Sequence, residues 1–136
     1  MKPLKIMLIE DDMIEVMKLN RAASTLNLNH KIIEANNGEE ALKALEHKGN
    51  LPDIILLDLN MPKINGIEFL KILKADDRLK YVPTIILTTS NNQRDLLECY
   101  KIGIAGYVLK PLKYEEYVSK IEKLLSYWSI NELITA

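Results

Sequence analysis

The sequence predicts an α/β domain in which a doubly wound parallel sheet of five strands alternates with five helices. Three observations carry this. Short aliphatic runs recur five times, and each is followed by a segment of helical period. Three of the runs, the first, third and fourth, lack the alternation of a half-exposed strand, so they read as buried on both faces of a parallel sheet. The 136 residues, 48% hydrophobic and 27% charged, suit one globular unit with a sizeable core.

The elements follow in order. Residues 4–9 (LKIMLI) form the first strand, bounded by Glu10-Asp11-Asp12. Val16, Leu19, Ala23 and Leu26 then fall on one helical face. Residues 30–35 (HKIIEA) make the second strand. The next helix opens at Asn37-Gly38-Glu39-Glu40, with Asn36 or Asn37 as its cap and Ala41, Leu42 and Leu45 as its apolar stripe. Residues 53–57 (DIILL) are the third strand, stopped by Pro62 and Gly66, where the glycine serves the turn. Ile67, Phe69, Leu70 and Leu73 mark the third helix, and Asp76-Asp77-Arg78 reads as its solvated end. Residues 84–88 (TIILT) are the fourth strand. Residues 92–101 form a more weakly patterned helix, ended by Gly103, in which Cys99 reads as a packing residue. Residues 106–109 (GYVL) are the last strand. Tyr114, Tyr117, Val118, Ile121, Leu124, Leu125 and Trp128 line the clearest apolar stripe of all.

Composition removes several functions. The formal net charge is −1 and the basic residues are scattered, so no nucleic-acid footprint is expected. A single cysteine excludes an internal disulfide and a multi-cysteine metal site, and fits a reduced, cytoplasmic setting. The opening MKPLKIMLIEDD resembles neither a signal peptide nor a membrane span.

In parallel sheets of this kind, ligands bind outside the carboxyl ends of the strands, at the switch in strand order. Four of the five strands deliver chemistry there. The first ends at Glu10-Asp11-Asp12, the third at Asp58, the fourth at Thr88-Thr89-Ser90 and the fifth at Lys110-Pro111. Clustered carboxylates repel and need counter-charge beyond one ammonium. A hard divalent cation with oxygen ligands fits, and the lack of His or Cys nearby argues against zinc. Magnesium keeps several waters and bridges one or two carboxylates to a phosphate. The mouth therefore suits a phosphoryl group, with the cation, Lys110 and the Thr88 hydroxyl each holding an oxygen. Asp58 can serve as nucleophile and form an acyl phosphate. Asp12 reads as a helix N-terminal residue, and His30 and His47 as surface residues.

IEDD (9–12), LLDLNMPKING (56–66), ILTTS (86–90) and GYVLKP (106–111) together resemble the receiver domain of two-component response regulators, in order and over nearly the full chain. The resemblance implies a flavodoxin-like sheet of order 2-1-3-4-5. It makes Asp58 the phosphoacceptor, fed by the phosphohistidine of a histidine kinase or by a small acyl phosphate. Glu10 and Asp11 become the acidic pair of the metal site, with Asp11 and Asp58 as magnesium ligands and the backbone carbonyl of Asn60 as a third. Thr88 becomes the switch hydroxyl, Tyr107 the switch aromatic and Lys110 the lysine that contacts the phosphoryl group. The Lys110–Pro111 bond is expected to be cis. Thr89 departs from the smaller residue common at its position, which bears on access to the site. LKYVPTIILTTS (79–90) and the Trp128 ending look like the small receivers that partner phytochrome-type kinases.

On this reading residues 1–128 are the receiver and 129–136 a short tail, too short for an output domain. The domain is then no enzyme beyond its own phosphoryl transfer and dephosphorylation. Its output is a switched protein surface or phosphate relay. The tail, with Trp128, Ile130, Leu133 and Ile134, is expected either to fold back on its own domain or to pack across a two-fold axis. The unbroken stripe into Trp128 favours the second, a homodimer through the fourth helix, fifth strand and fifth helix. Two rivals fit less well. A haloacid-dehalogenase-like phosphatase wants a second Asp where Asn60 stands. A flavodoxin-like electron carrier wants a Ser/Thr/Gly-rich loop where Glu10-Asp11-Asp12 would repel the flavin phosphate.

Overall fold

The computed structural model describes residues 3–47, 49, 51–61 and 64–134. Five strands, β1 (Lys5–Ile9), β2 (Lys31–Ala35), β3 (Ile54–Leu57), β4 (Thr84–Thr88) and β5 (Gly106–Leu109), form one parallel sheet of order β2-β1-β3-β4-β5. Between and after them run α1 (Met13–Thr25), α2 (Gly38–Glu46), α3 (Gly66–Ala75), α4 (Gln93–Ile102) and α5 (Tyr114–Ser129). This is the flavodoxin-like architecture and strand order expected from the motifs.

Side-chain alternation along the central strands splits the core in two. Met7, Ile9, Ile55, Leu57 and Ile86 face one layer, which Phe69, Leu70 and Leu73 of α3 and Cys99 of α4 fill. Ile6, Leu8, Ile54, Leu56, Ile85 and Leu87 face the other, closed by Val16 and Leu19 of α1 and by Tyr117, Ile121 and Leu125 of α5. Every residue of β3 is fully buried, which explains its unbroken aliphatic run. Each such side chain stabilises the fold by about 1.5–3 kcal/mol relative to exposure.

Four of the five helix starts are set by short polar side chains; α5, entered from Lys113, has no side-chain cap. Asp12 caps α1 by accepting from the Ile14 N–H, and Asn37 caps α2 by accepting from the Glu40 N–H. Asn65 and Glu68 form a reciprocal capping box at α3, and Asn92 caps α4. Gly103 ends α4 at φ 121°, a backbone region that favours glycine.

Four details differ from the sequence reading. Asp76 does more than end α3 in solvent, since its carboxylate accepts from the Arg78 and Leu79 N–H groups and starts a 3-10 turn over Leu79–Tyr81. His30 is half-buried, with Nδ1 accepting from the Leu4 N–H at 2.8 Å, because it enters β2 directly beside the residue that enters β1. No cis peptide bond occurs among the described residues, so Lys110–Pro111 is trans, the form X–Pro bonds intrinsically prefer. Finally, α5 runs one residue past Trp128; of the two fates open to the tail, Leu133 takes the less favoured one and folds back onto the α1–α5 layer, while Ile130 and Ile134 stay exposed.

Candidate functional site

The strand order reverses between β1 and β3, and the register there places their ends side by side, with Ile9 opposite Leu57. The next residues are Glu10 and Asp58. The Glu10 N–H donates to the Ala35 carbonyl at 3.0 Å and the Asp58 N–H to the Ile9 carbonyl at 3.1 Å. Both carboxylates are thus carried on backbone that continues the sheet hydrogen bonding. Asp11, exposed, completes a cluster in which one carboxylate oxygen of each residue lies within 4.8 Å of the others. Among the described residues this is the only such group of acidic, His or Cys ligands.

Lys110 enters from β5, its N–H bonded to the Thr88 carbonyl at 2.8 Å. Its Nζ donates to Glu10 Oε1 at 2.6 Å, and the two side chains are only 5% and 3% exposed. Glu10 Oε2 accepts from the Asp12 N–H at 3.3 Å, so both oxygens of Glu10 are engaged. A cavity of about 310 Å³ opens over the cluster, lined also by Glu15, Asn60 and Thr89.

The electrostatics follow from packing several acids against one ammonium. Burial pushes the Glu10 carboxyl up to about 7; Lys110 opposes the rise through its hydrogen bond and charge, and the charge of Asp58 adds to it. Asp58 is raised in the same direction, again chiefly by burial, with Lys110, Thr88, Glu10 and the Asn60 backbone favouring the ionised form. The pocket holds more carboxylate than Lys110 can neutralise, which is the condition a divalent cation relieves.

Thr88, the last residue of β4, is fully buried, with its hydroxyl between Asp58 and the Ser90 N–H, the latter at 3.3 Å. The Tyr107 hydroxyl donates to the Ser90 carbonyl at 2.8 Å. Ser90 Oγ in turn donates to Asp95 of α4 at 3.2 Å. The two expected switch residues therefore meet on Ser90, which also ties the loop to α4.

The structure gathers Glu10, Asp11, Asp58, Asn60 and Lys110 at one mouth, buries Thr88 against Asp58, and links Tyr107 to them only through Ser90. Sequence reasoning missed Glu15 and Asp95, and placed Ser90 at the strand end without giving it a role of its own. Glu15 lies one turn into α1, where it points back at the strand end. That position was a usable signal, but it was hidden among the Glu10-Asp11-Asp12 acids.

A sheet with this order, whose switch point carries clustered acids beside a buried lysine, defines a phosphoryl-handling signalling domain. Residues 6–122 match the family model of the response regulator receiver domain, and the chain belongs to that family. It is a receiver-type response regulator of two-component signalling. The chain is 35% identical over 130 residues to the probable methanogenesis regulatory protein FilR2 of Methanothrix harundinacea, covering 93% of this chain and 84% of that one. Response regulator Rcp1 of Synechocystis is 30% identical over 131 residues, covering 93% and 89%. The crystal structure of Rcp1 in its Mn(2+)-bound form superimposes with a TM-score of 0.86 at 29% identity over 98% of this chain and all of that one. The phosphorylated cyanobacterial phytochrome response regulator RcpA gives 0.89 at 29% identity over 98% and 99%.

Proposed function

We propose that Asp58 accepts a phosphoryl group from a histidine kinase's phosphohistidine or from a small acyl phosphate, and that the modified domain presents an altered surface to a partner protein. The observation that carries this is the convergence of Asp11, Asp58 and Lys110 on one cavity from three strand ends, with the buried Thr88 hydroxyl of a fourth hydrogen-bonded to Asp58. In the transfer, an Asp58 carboxylate oxygen bonds to phosphorus while the phosphorus–nitrogen or phosphorus–oxygen bond to the donor breaks, and its electron pair leaves with the donor. Lys110 and, after a short shift, Thr88 bind phosphoryl oxygens.

The acidic cluster suits magnesium, since it is all oxygen and has room for waters. Asp11, Asp58 and the Asn60 carbonyl would hold it. Glu10, already bound by Lys110 and the Asp12 N–H, would act through water. When bound, the cation neutralises charge between Asp58 and the incoming phosphoryl group. Labelled acetyl phosphate should mark the wild type only when magnesium is present. Full labelling of Asp58→Asn, or labelling unchanged by EDTA, would overturn the assignment.

The phosphoryl group brings about −1.5 to −2 charges and three acceptor oxygens. Drawing the Thr88 hydroxyl toward them removes its contact with the Ser90 N–H. The loop that also holds Tyr107 and Asp95 is then free to move, and the change reaches β5 and α4 first. Next to the mouth, Met13, Ile14 and Met17 of α1 and Leu112 after β5 expose apolar surface that suits a docking kinase of the phytochrome type. No helix among the described residues is long and apolar enough to cross a membrane, which fits a cytoplasmic receiver.

Residues 1–128 act as the receiver on this reading, and 129–136 add contact surface. A largely apolar groove of about 600 Å³ between β5 and α5, lined by Val108, Leu109, Leu124, Tyr127 and Trp128 along with Lys120 and Lys123, supports the β5 and α5 part of a homodimer through α4, β5 and α5. Sedimentation with beryllofluoride should show wild type dimerising and Thr88→Ala failing to do so despite binding the mimic. Trp128→Ala should weaken the dimer roughly tenfold or more, the cost of one interface aromatic. A wild type monomeric in every state would remove the dimer; a Thr88→Ala dimer equal to wild type would remove the coupling.

A further inference from the structure

Glu15 is the one acid of the pocket that the phosphoacceptor reading leaves without a task. Its Oε2 is buried and makes no hydrogen bond. It lies instead between two ammonium groups, 3.7 Å from Lys110 Nζ and 3.5 Å from Lys18 Nζ. Lys18 is fixed from the other side, with its Nζ 4.7 Å from the ring centroid of the buried Tyr117 of α5. Charges therefore alternate from the α1–α5 seam into the site, running Lys18, Glu15, Lys110, Glu10.

We infer that Glu15 is a positioning residue for Lys110, one that draws its ammonium toward α1 and so sets how firmly it can hold a phosphoryl group on Asp58. The inference rests on the phosphoacceptor reading and deepens it. Lys110 has three N–H donors and one is spent on Glu10 at 2.6 Å. To meet phosphoryl oxygens it must turn away from other anions. Glu15 sits beyond hydrogen-bond reach of Lys110 yet within ion-pair range, so it competes through charge without locking the side chain. It also repels the phosphoryl group directly, while the same charge attracts a divalent cation. Lys18 tempers both effects by sharing Glu15. Removing the Glu15 charge should thus move the two ligands in opposite directions, which loss of packing would not do.

The test uses the full chain as wild type, Glu15→Gln, Glu15→Asp, Lys18→Gln and the double variant Glu15→Gln/Lys18→Gln. Beryllofluoride affinity is read at saturating magnesium, and cation affinity by electron paramagnetic resonance of Mn(2+) alone. Glu15→Gln should bind beryllofluoride roughly three- to tenfold more tightly and Mn(2+) less tightly by a similar factor, the size expected of one charge in a half-solvated pocket. Glu15→Asp should behave as wild type. Lys18→Gln should weaken beryllofluoride, and in the double variant that effect should vanish, because Lys18 acts through Glu15. Glu15→Gln lowering both affinities, or changing neither, would overturn the inference, as would an undiminished Lys18→Gln effect in the double variant. A wild type that binds neither ligand would instead show that the phosphoacceptor reading itself is wrong.

Discussion

Lys110→Ala is expected to lower phosphoryl uptake at least a hundredfold and to destabilise the fold in a pH-dependent way. Lys110 and Glu10 form a pair at 2.6 Å with both side chains almost wholly buried. Removing one partner of such a pair costs about 3–5 kcal/mol, because the other charge is left buried without compensation. Glu10 has an escape, which is to take a proton. In the wild type burial already raises it from 4.5 to about 7, against the pull of Lys110. Between these values the folded state holds more protons than the unfolded state, so this group's contribution to stability is full below about 4.5 and lost as pH rises through about 7. Without Lys110 the carboxyl rises further and the loss at high pH grows. Urea unfolding should therefore show a large deficit for Lys110→Ala near pH 8 and a much smaller one near pH 5. Equal deficits at both would mean that Glu10 does not respond to Lys110. Magnesium should recover part of the loss at pH 8, since it replaces protons among the carboxylates.

Gly66→Ala is expected to damage both fold and site. A Cβ at Gly66 would lie 2.6 Å from the Asp58 carbonyl oxygen and 2.6 Å from Leu59 Cα, both backbone atoms that no rotamer change can move. The Gly66 N–H also donates to the Leu59 carbonyl at 3.0 Å, so the start of α3 is bound tightly to the loop leaving β3. Overpacking of this kind costs about 1–3 kcal/mol. The strain falls on the segment that carries Asp58 and Asn60, so phosphoryl uptake should drop even in the fraction that remains folded. A melting temperature and uptake rate both equal to wild type would show that α3 can retreat freely. The sequence assigned this glycine to a turn. The structure gives the reason as close approach of α3 to the loop, with no positive φ required.

The five strands and five helices were legible because each strand is an aliphatic run and four of the helices keep an apolar period, while α4, which buries only Cys99, was marked mainly by Gly103 at its end. Asp58 and Lys110 were legible as strand-end residues, since a parallel sheet puts all its strand ends on one edge. What stayed hidden depended on side-chain direction across elements. Nothing in the order Thr88, Ser90, Tyr107 shows that a tyrosine hydroxyl from β5 and a threonine hydroxyl from β4 meet on one serine backbone. Nor does the spacing of Glu10 and Glu15 show that both face Lys110, since that requires the angle at which α1 leaves β1. His30 was misjudged for a similar reason. Its partner is the backbone N–H of Leu4, which lies 26 residues away in sequence.

Three carboxylates stand within 4.8 Å in the pocket, and the account requires that only Asp58 become the acyl phosphate. The most direct test is to phosphorylate the wild type with acetyl phosphate and magnesium, reduce the acyl phosphate with borohydride, and locate the reduced residue by peptide mass spectrometry. The account predicts homoserine at position 58, with Glu10 and Asp11 unmodified; reduction at Glu10 or Asp11, or a phosphorylated protein with Asp58 intact, would contradict it.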